Sequence, residues 1–133
     1  MSDGALRLIP AAELSSATAQ TTGMVRSAAI SGELTGAQSL WMGRTELPPG
    51  VRSGDHHHGV SETGIYVVSG SPAFEFRDPA SGDIVRLDTR PGDYVWVPPH
   101  VPHREENPSE DETAVIVVAR STQEAIVVNV DGL

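Results

Sequence analysis

The chain of 133 residues contains no cysteine. This absence excludes disulfide bonds, thiolate nucleophiles and cysteine-based zinc sites. Aromatic residues are also scarce, at 5% of the chain, and the apolar residues come in short β-branched runs rather than in helical stripes. Such runs favour an all-β fold, either a barrel or a sandwich.

Positively charged residues are also few. Nine Lys and Arg residues stand against eighteen Asp and Glu, which gives a formal net charge of −9 and a sequence pI near 4.8. A field of this sign repels phosphate backbones and anionic lipid. We therefore expect no nucleic-acid partner.

Long hydrophobic runs are missing as well. No run approaches the roughly 18 apolar residues of a membrane span, and the N-terminus lacks the basic-then-apolar order of a secretion signal. These absences predict a cytoplasmic protein with no membrane partner.

The length suits a single domain, which we place at residues 24–133. Residues 1–23, rich in Ala, Ser and Thr, are expected to form an N-terminal arm that is either an edge strand or an exchanged strand, with a helical turn at 11–14. Turn signals recur about every eight to twelve residues, as a jelly roll requires. The predicted strands are 24–30, 38–47, 65–68, 73–77, 84–87, 94–97, 113–119 and 125–130.

The second predicted strand presents two different faces. One face carries Leu40, Met42, Arg44 and Glu46, and the other carries Trp41, Gly43 and Thr45. Either set could line a cavity, because alternation alone does not say which face is inside.

Three of the five histidines are consecutive, at positions 56–58, and Glu62 follows four residues later. Side chains of an extended chain alternate between faces, so His56 and His58 point the same way and could share one ion, while His57 points the other way. Imidazole and carboxylate are ordinary ligands of first-row divalent metals. The stretch therefore predicts a metal site.

A second stretch, residues 92–107, contains a strand-like run that ends in prolines and leads to His103. Together the two stretches resemble the two motifs of the cupin family, in both residue type and spacing. The first motif is matched by Gly50, His56, His58, Glu62 and Gly70. The second is matched by Gly92, Pro98, His103 and Asn107. The resemblance implies an antiparallel double-stranded β-helix in which His103 joins His56, His58 and Glu62 around one ion.

Two positions depart from the family pattern. Seven residues rather than six separate Glu62 from Gly70, so motif length would put Thr63 in the place of the glutamate, whereas strand parity favours Glu62. Both alternatives stay open. His100 stands where the family usually has glycine, and histidine tolerates positive φ better than most residues, so we still expect a tight turn there.

The expected site holds one divalent transition metal per chain. Iron, manganese, nickel, copper and zinc all suit such ligands, and the sequence does not choose among them. His57 and His100 are the candidates for acid/base work beside the ion. Asn107 and Asp93 are expected to satisfy backbone groups in turns, and Arg104, Glu105 and Glu106 to be solvated strand residues.

By resemblance, the function is that of a metal-dependent enzyme acting on a small organic molecule, with an oxygen-using oxidoreductase of the dioxygenase type favoured. A Lewis-acid cyclase or isomerase and a non-catalytic metal or small-ligand binding module are the alternatives. The resemblance also implies a homodimer, paired through apolar edge segments.

The residues around the motifs bear on the substrate. Their basic residues, Arg44, Arg52 and Arg104, do not form a phosphate-binding cluster, which disfavours a nucleotide sugar. The hydrophobic candidates favour an apolar or aromatic small molecule, and they are Trp41, Met42, Tyr66, Tyr94 and Trp96.

Overall fold

The structure is a computed structural model and describes residues 4–123 and 126–133. It consists of β-strands with one short helix and one 3-10 turn. The strands are β1 (Val25–Ile30), β2 (Trp41–Leu47), β3 (His56–His57), β4 (Thr63–Ser69), β5 (Ala73–Arg77), β6 (Ile84–Asp88), β7 (Tyr94–Val97), β8 (His103–Glu106), β9 (Ala114–Arg120) and β10 (Val128–Asn129). The 3-10 turn is Ala11–Glu13 and the helix, α1, is Gly32–Thr35.

The strands form two five-stranded sheets in which every neighbouring pair is antiparallel. The order is β1-β2-β9-β4-β7 in the first sheet and β10-β3-β8-β5-β6 in the second. Most neighbours in a sheet are not consecutive in the chain, as a jelly roll requires, the exceptions being the pairs β1-β2 and β5-β6. The predicted all-β jelly roll is confirmed.

The core lies on the inner faces of the two sheets and follows the two-residue alternation of the strands. On β2, Trp41, Gly43, Thr45 and Leu47 are buried, and the residues between them are half-buried or exposed. This settles which face of that strand is inside. Apolar residues of both sheets complete the core, among them Ile65, Val67, Phe74, Ile116 and Val118.

The N-terminal arm lies against its own chain. The backbone N–H of Ala28 donates to Ser15 O (2.7 Å), and that of Ser15 donates back to Ala28 O (2.9 Å). The helical turn expected at 11–14 is present as the 3-10 turn. Residues 1–3 of the predicted arm and residue 125 of the last predicted strand lie outside the described residues.

A short helix that the sequence did not predict connects β1 to β2. The Ser31 side chain accepts a hydrogen bond from Leu34 N at its start, and Gly36 ends it with φ of 73°. A left-handed glycine is a common helix end. No helix in the described part of the chain is long and apolar enough to cross a membrane.

Candidate metal centre

Three histidines from neighbouring segments meet in the barrel interior. Antiparallel pairing of β3 with β8 places His56 directly opposite His103, and His58 follows β3. The three side chains are buried, and their ligand atoms all lie within 4.8 Å of one another. The structure thus brings together all three histidines that the two motifs predicted.

Each imidazole is oriented by a hydrogen bond between Nδ1 and a backbone carbonyl. The partners are Gly54 O for His56 (2.8 Å), Ile126 O for His58 (2.8 Å) and Val101 O for His103 (3.0 Å). A carbonyl only accepts, so Nδ1 carries the proton in each neutral ring and Nε2 keeps its lone pair. This carbonyl–imidazole arrangement is the usual support of a metal-binding histidine.

Whether the residues fit a metal ion depends on the Nε2 atoms, which the carbonyl hydrogen bonds leave unused. Nε2 of His56 and Nε2 of His103 are buried and have no hydrogen-bond partner in the structure. A buried acceptor without a partner costs about 1–3 kcal/mol, and a divalent ion would remove that cost by binding the lone pairs. The residues therefore fit a metal.

A buried carboxylate, Glu105, lies beside two of the three histidines. Its Oε2 lies 3.5 Å from His56 Nε2, and its Oε1 lies 3.4 Å from His103 Nε2. Ser53 Oγ donates to Glu105 Oε2 (3.1 Å) and accepts from Glu105 N (2.9 Å), which fixes the carboxylate in place. Glu105 is the side chain in position to be a fourth ligand.

The expectation of a solvated Glu105 is wrong, because its side chain points inward and is 2% exposed. The signal was available in the sequence: His103 and Glu105 are two residues apart on one strand, as His56 and His58 are, so they share a face. The flanking Arg104 and Glu106 are half-buried.

The structure places Glu62 outside the cluster. Its side chain is exposed and accepts a hydrogen bond from Trp96 Nε1 (2.8 Å). A turn between His58 and Ser61, with Gly59 at φ of 56°, interrupts the extended chain, so the parity argument does not extend across it. Thr63 consequently occupies the inner face, with its Oγ1 buried and without a partner.

Charge and burial set the protonation states. Burial lowers the pKa of His56 and of His58. Burial acts in the same direction on His103, but the adjacent Glu105 carboxylate outweighs it and raises the pKa. Burial would raise the pKa of Glu105, yet the neighbouring His56 and His103 hold it well below its usual range. Two neutral imidazoles and an ionised carboxylate are the forms that bind a divalent ion.

The two acid/base candidates lie outside the three-histidine cluster. His57 projects from the other face of β3, and its ring centroid lies 6.1 Å from that of His100. Its Nδ1 accepts from Gly59 N (3.0 Å), and His100 N donates to Gly59 O (2.8 Å). His100 has φ of 63°, which confirms the expected tight turn. The structure thus gives both residues a role in shaping the loop.

The turn roles expected of two further residues are confirmed. Asp93 Oδ2 accepts from Arg90 N (2.9 Å), and Asn107 Nδ2 donates to Leu47 O (3.0 Å) and to Glu112 O (2.7 Å).

Residues 43–119, more than half of the chain, match the sequence profile described as the cupin domain. The chain belongs to the cupin family. No curated protein matches its sequence significantly.

Solved structures resemble this cupin in fold. Oxalate oxidase bound to the substrate analogue glycolate aligns with a TM-score of 0.73 at 17% identity over 87% of this chain and 59% of that chain. Bacillus subtilis oxalate decarboxylase, described for its Mn(II) centres, aligns with a TM-score of 0.75 at 18% identity over 90% of this chain and 30% of that chain. Peruvianin-I, a cysteine peptidase from Thevetia peruviana latex, aligns with a TM-score of 0.73 at 17% identity over 84% of this chain and 69% of that chain. This cupin spans less than two thirds of the oxalate oxidase chain.

An apolar cavity of about 280 Å³ adjoins the histidine cluster of the cupin barrel. His103 is part of its wall, so the cavity reaches a candidate metal ligand directly. The apolar side chains of the wall are Phe74, Phe76, Leu87, Val95, Val97 and Val101.

The hydrophobic residues that the sequence suggested as substrate contacts lie in different parts of the structure. Trp96 contributes to the cavity wall, while Trp41 is buried in the core. Tyr66 and Tyr94 contact each other on the exposed face, with ring centroids 4.9 Å apart, and Met42 is half-buried on the outer face of β2.

Proposed function

We propose that this cupin binds one divalent transition metal per chain through His56, His58 and His103, with Glu105 as the fourth ligand. The observation that carries the proposal is the convergence of three buried imidazoles whose Nδ1 atoms are bound to carbonyls and whose ligand atoms all lie within 4.8 Å of one another. Glu105 supplies a negative charge beside two of these nitrogens. Iron, manganese, nickel, copper and zinc all accept such donors.

We further propose that the protein is an oxygen-using oxidoreductase of the dioxygenase type acting on a small, largely apolar molecule. A redox-active ion bound here would supply the electron transfer between organic substrate and dioxygen that amino-acid side chains cannot perform. The apolar cavity beside His103 would receive the substrate and exclude water around it. The fold is shared with oxalate oxidase, whereas the chemistry of the cysteine peptidase neighbour needs a residue type that this chain lacks.

The second candidate is a Lewis-acid cyclase or isomerase, and it requires a base beside the substrate. Glu105 is the buried carboxylate at the cluster. The first proposal assigns Glu105 to the metal, so it would not be free to act as that base, and His57 and His100 lie outside the three-histidine cluster. The second candidate therefore has no assigned base among these residues.

Reconstitution tests the function. The metal-free protein is loaded in parallel with iron(II), manganese(II) or zinc, its metal content is measured, and oxygen uptake is followed over a panel of small apolar organic acids, alcohols and ketones. We expect oxygen uptake with iron or manganese and none with zinc. Full turnover by the zinc protein without oxygen would establish the isomerase instead, and a bound molecule recovered unchanged after prolonged incubation in air would indicate a binding module.

We also propose a homodimer. The arm exposes two leucines that contribute nothing to the monomer core, with Leu6 100% and Leu8 87% exposed. Burial of such side chains against a second copy would remove apolar surface from water. Light scattering at micromolar concentration should give twice the chain mass for the wild type and the single mass for the variant Leu6→Ser/Leu8→Ser. A wild-type monomer would refute the dimer.

A further inference from the structure

The barrel interior holds more positive than negative charge. Arg26 and Arg120 are 1% and 2% exposed, and Glu105 is the buried acid among the described residues. A bound divalent ion would increase the positive excess. Burying uncompensated charge costs several kcal/mol, so the interior is suited to an anion.

The two arginines differ in how their nitrogens are used. Arg26 donates from Nη1 to Ala19 O (2.8 Å) and from Nη2 to Thr21 Oγ1 (3.2 Å). Arg120, in contrast, has buried Nε and Nη1 atoms that both lack a hydrogen-bond partner. Arg26 is therefore tied into the fold through both Nη atoms and leaves its Nε without a partner, whereas Arg120 has two unpartnered nitrogens that can donate to a ligand.

Arg120 is held in place without using those donors. Its guanidinium carbon lies 4.8 Å from the ring centroid of Trp41, in a cation–π contact. The indole in turn lies against Gly43, where an added Cβ would come within 2.5 Å of a ring carbon. The guanidinium is thus positioned in advance, which reduces the ordering cost of binding a ligand.

A third unpartnered donor lies beside Arg120. In strand register Arg120 pairs with Thr63 of β4, and Thr63 pairs with Val97 of β7. Oγ1 of Thr63 is buried and has no partner. Val97 belongs to the wall of the apolar cavity, so the polar donors and the cavity are neighbours across one strand.

The donors also lie near the histidine cluster. Val97, the strand neighbour of Thr63, and His103 belong to the wall of the same cavity.

We propose that Arg120 and Thr63 bind the carboxylate of the substrate beside the metal, while its apolar part occupies the cavity lined by Phe74 and Val97. The substrate class is a small monocarboxylate with an apolar or aromatic substituent. Charge-assisted hydrogen bonds from a buried guanidinium are among the strongest available to a protein, and they reject a neutral analogue. This inference deepens the proposed oxidoreductase function, and its binding step can be measured without turnover.

Calorimetry on the zinc-loaded protein tests the binding step. The probes are benzoate, phenylacetate and 3-phenylpropionate, each compared with its neutral amide. We expect at least one carboxylate to bind about tenfold or more tightly than its amide, and Arg120→Met to weaken that carboxylate about 10- to 100-fold without changing the amide. Thr63→Val should weaken it less.

Arg44→Met is the matched control, because Arg44 pairs with Glu46 on the outer face of β2 and its loss should leave binding unchanged. Zinc content and thermal unfolding are checked for every variant. Equal binding of acid and amide, or unchanged carboxylate binding in Arg120→Met, would overturn the proposal. If Arg120→Met does not fold, the acid–amide comparison and Thr63→Val decide. Carboxylate binding without oxygen uptake by the iron or manganese protein would contradict the proposed reaction alone.

Discussion

Glu105 lies two residues after His103 on β8, and its Oε1 approaches His103 Nε2 to 3.4 Å. A metal ion bound by the three imidazoles would therefore meet a carboxylate from the second motif rather than from the first. The first motif instead presents Thr63, a neutral side chain, to the interior.

This relationship predicts which glutamate matters for metal binding. Glu105→Gln should weaken zinc or manganese affinity about 10- to 100-fold, since it removes the anionic member of the proposed ligand set. Glu62→Gln is the matched control and should leave affinity unchanged, because Glu62 is exposed and bound to Trp96. Competition with a fluorescent chelator measures both constants. The opposite ranking would restore Glu62 as the ligand.

Metal affinity should depend on pH through His103. Burial would lower its pKa, but Glu105 raises it above the ordinary value of 6.5, so a proton competes for Nε2 already near neutral pH. Below that pKa the apparent affinity should fall about tenfold per pH unit, one proton being displaced by each ion. Above it the affinity should be flat.

Glu105→Gln again supplies the control for this pH dependence. Removing the carboxylate leaves burial to lower the pKa of His103, so the onset of metal loss should move to a lower pH even though the affinity is weaker. Titrations from pH 5 to pH 8 give the onset. An identical onset in variant and wild type would show that His103 is not the competing site.

Much of the site follows from short-range pattern. Two-residue alternation predicted that His56 and His58 share a face, and the resemblance to the second cupin motif supplied His103. Alternation failed for Glu62, since the turn at Gly59 separates it from the strand that carries His56 and His58. The alternation of side chains in a strand does not predict the direction of a side chain beyond such a turn.

The charged interior could not be predicted in the same way. Arg26 and Arg120 occur in strands whose other residues allow either face to be inside, and a charged side chain is ordinarily assigned to solvent. Their burial follows from the pairing of β1, β2, β9 and β4 over long sequence distances. That pairing is a property of the whole barrel.

The turn at His100 gives a prediction that separates structure from catalysis. His100 adopts φ of 63°, which favours glycine, so His100→Gly should raise the free energy of unfolding by about 0.5–1 kcal/mol. His100→Ala removes the same ring but keeps the Cβ and should give no such gain. Urea unfolding measures both. Both variants should keep metal binding and turnover, and a shared loss of turnover would assign the imidazole a catalytic role.

The last prediction concerns the stability cost of the buried guanidinium. Burial, and then repulsion by Arg26, lower the pKa of Arg120 from 12.5 to about 9. At neutral pH it is still charged, so the folded state carries the full penalty. Arg120→Met keeps much of the side-chain volume and should raise the free energy of unfolding of the metal-free protein by about 1–3 kcal/mol.

Arg26→Met is the matched control for this measurement. Arg26 is equally buried, but its guanidinium satisfies Ala19 O and Thr21 Oγ1, so its loss should destabilise the fold by about 1–3 kcal/mol. Urea unfolding at pH 7 measures both variants. A gain for Arg120→Met beside a loss for Arg26→Met would mark Arg120 as a residue kept for binding at the expense of stability. Equal losses would make Arg120 a structural residue, because its contact with Trp41 would then outweigh the cost of its unpaired donors.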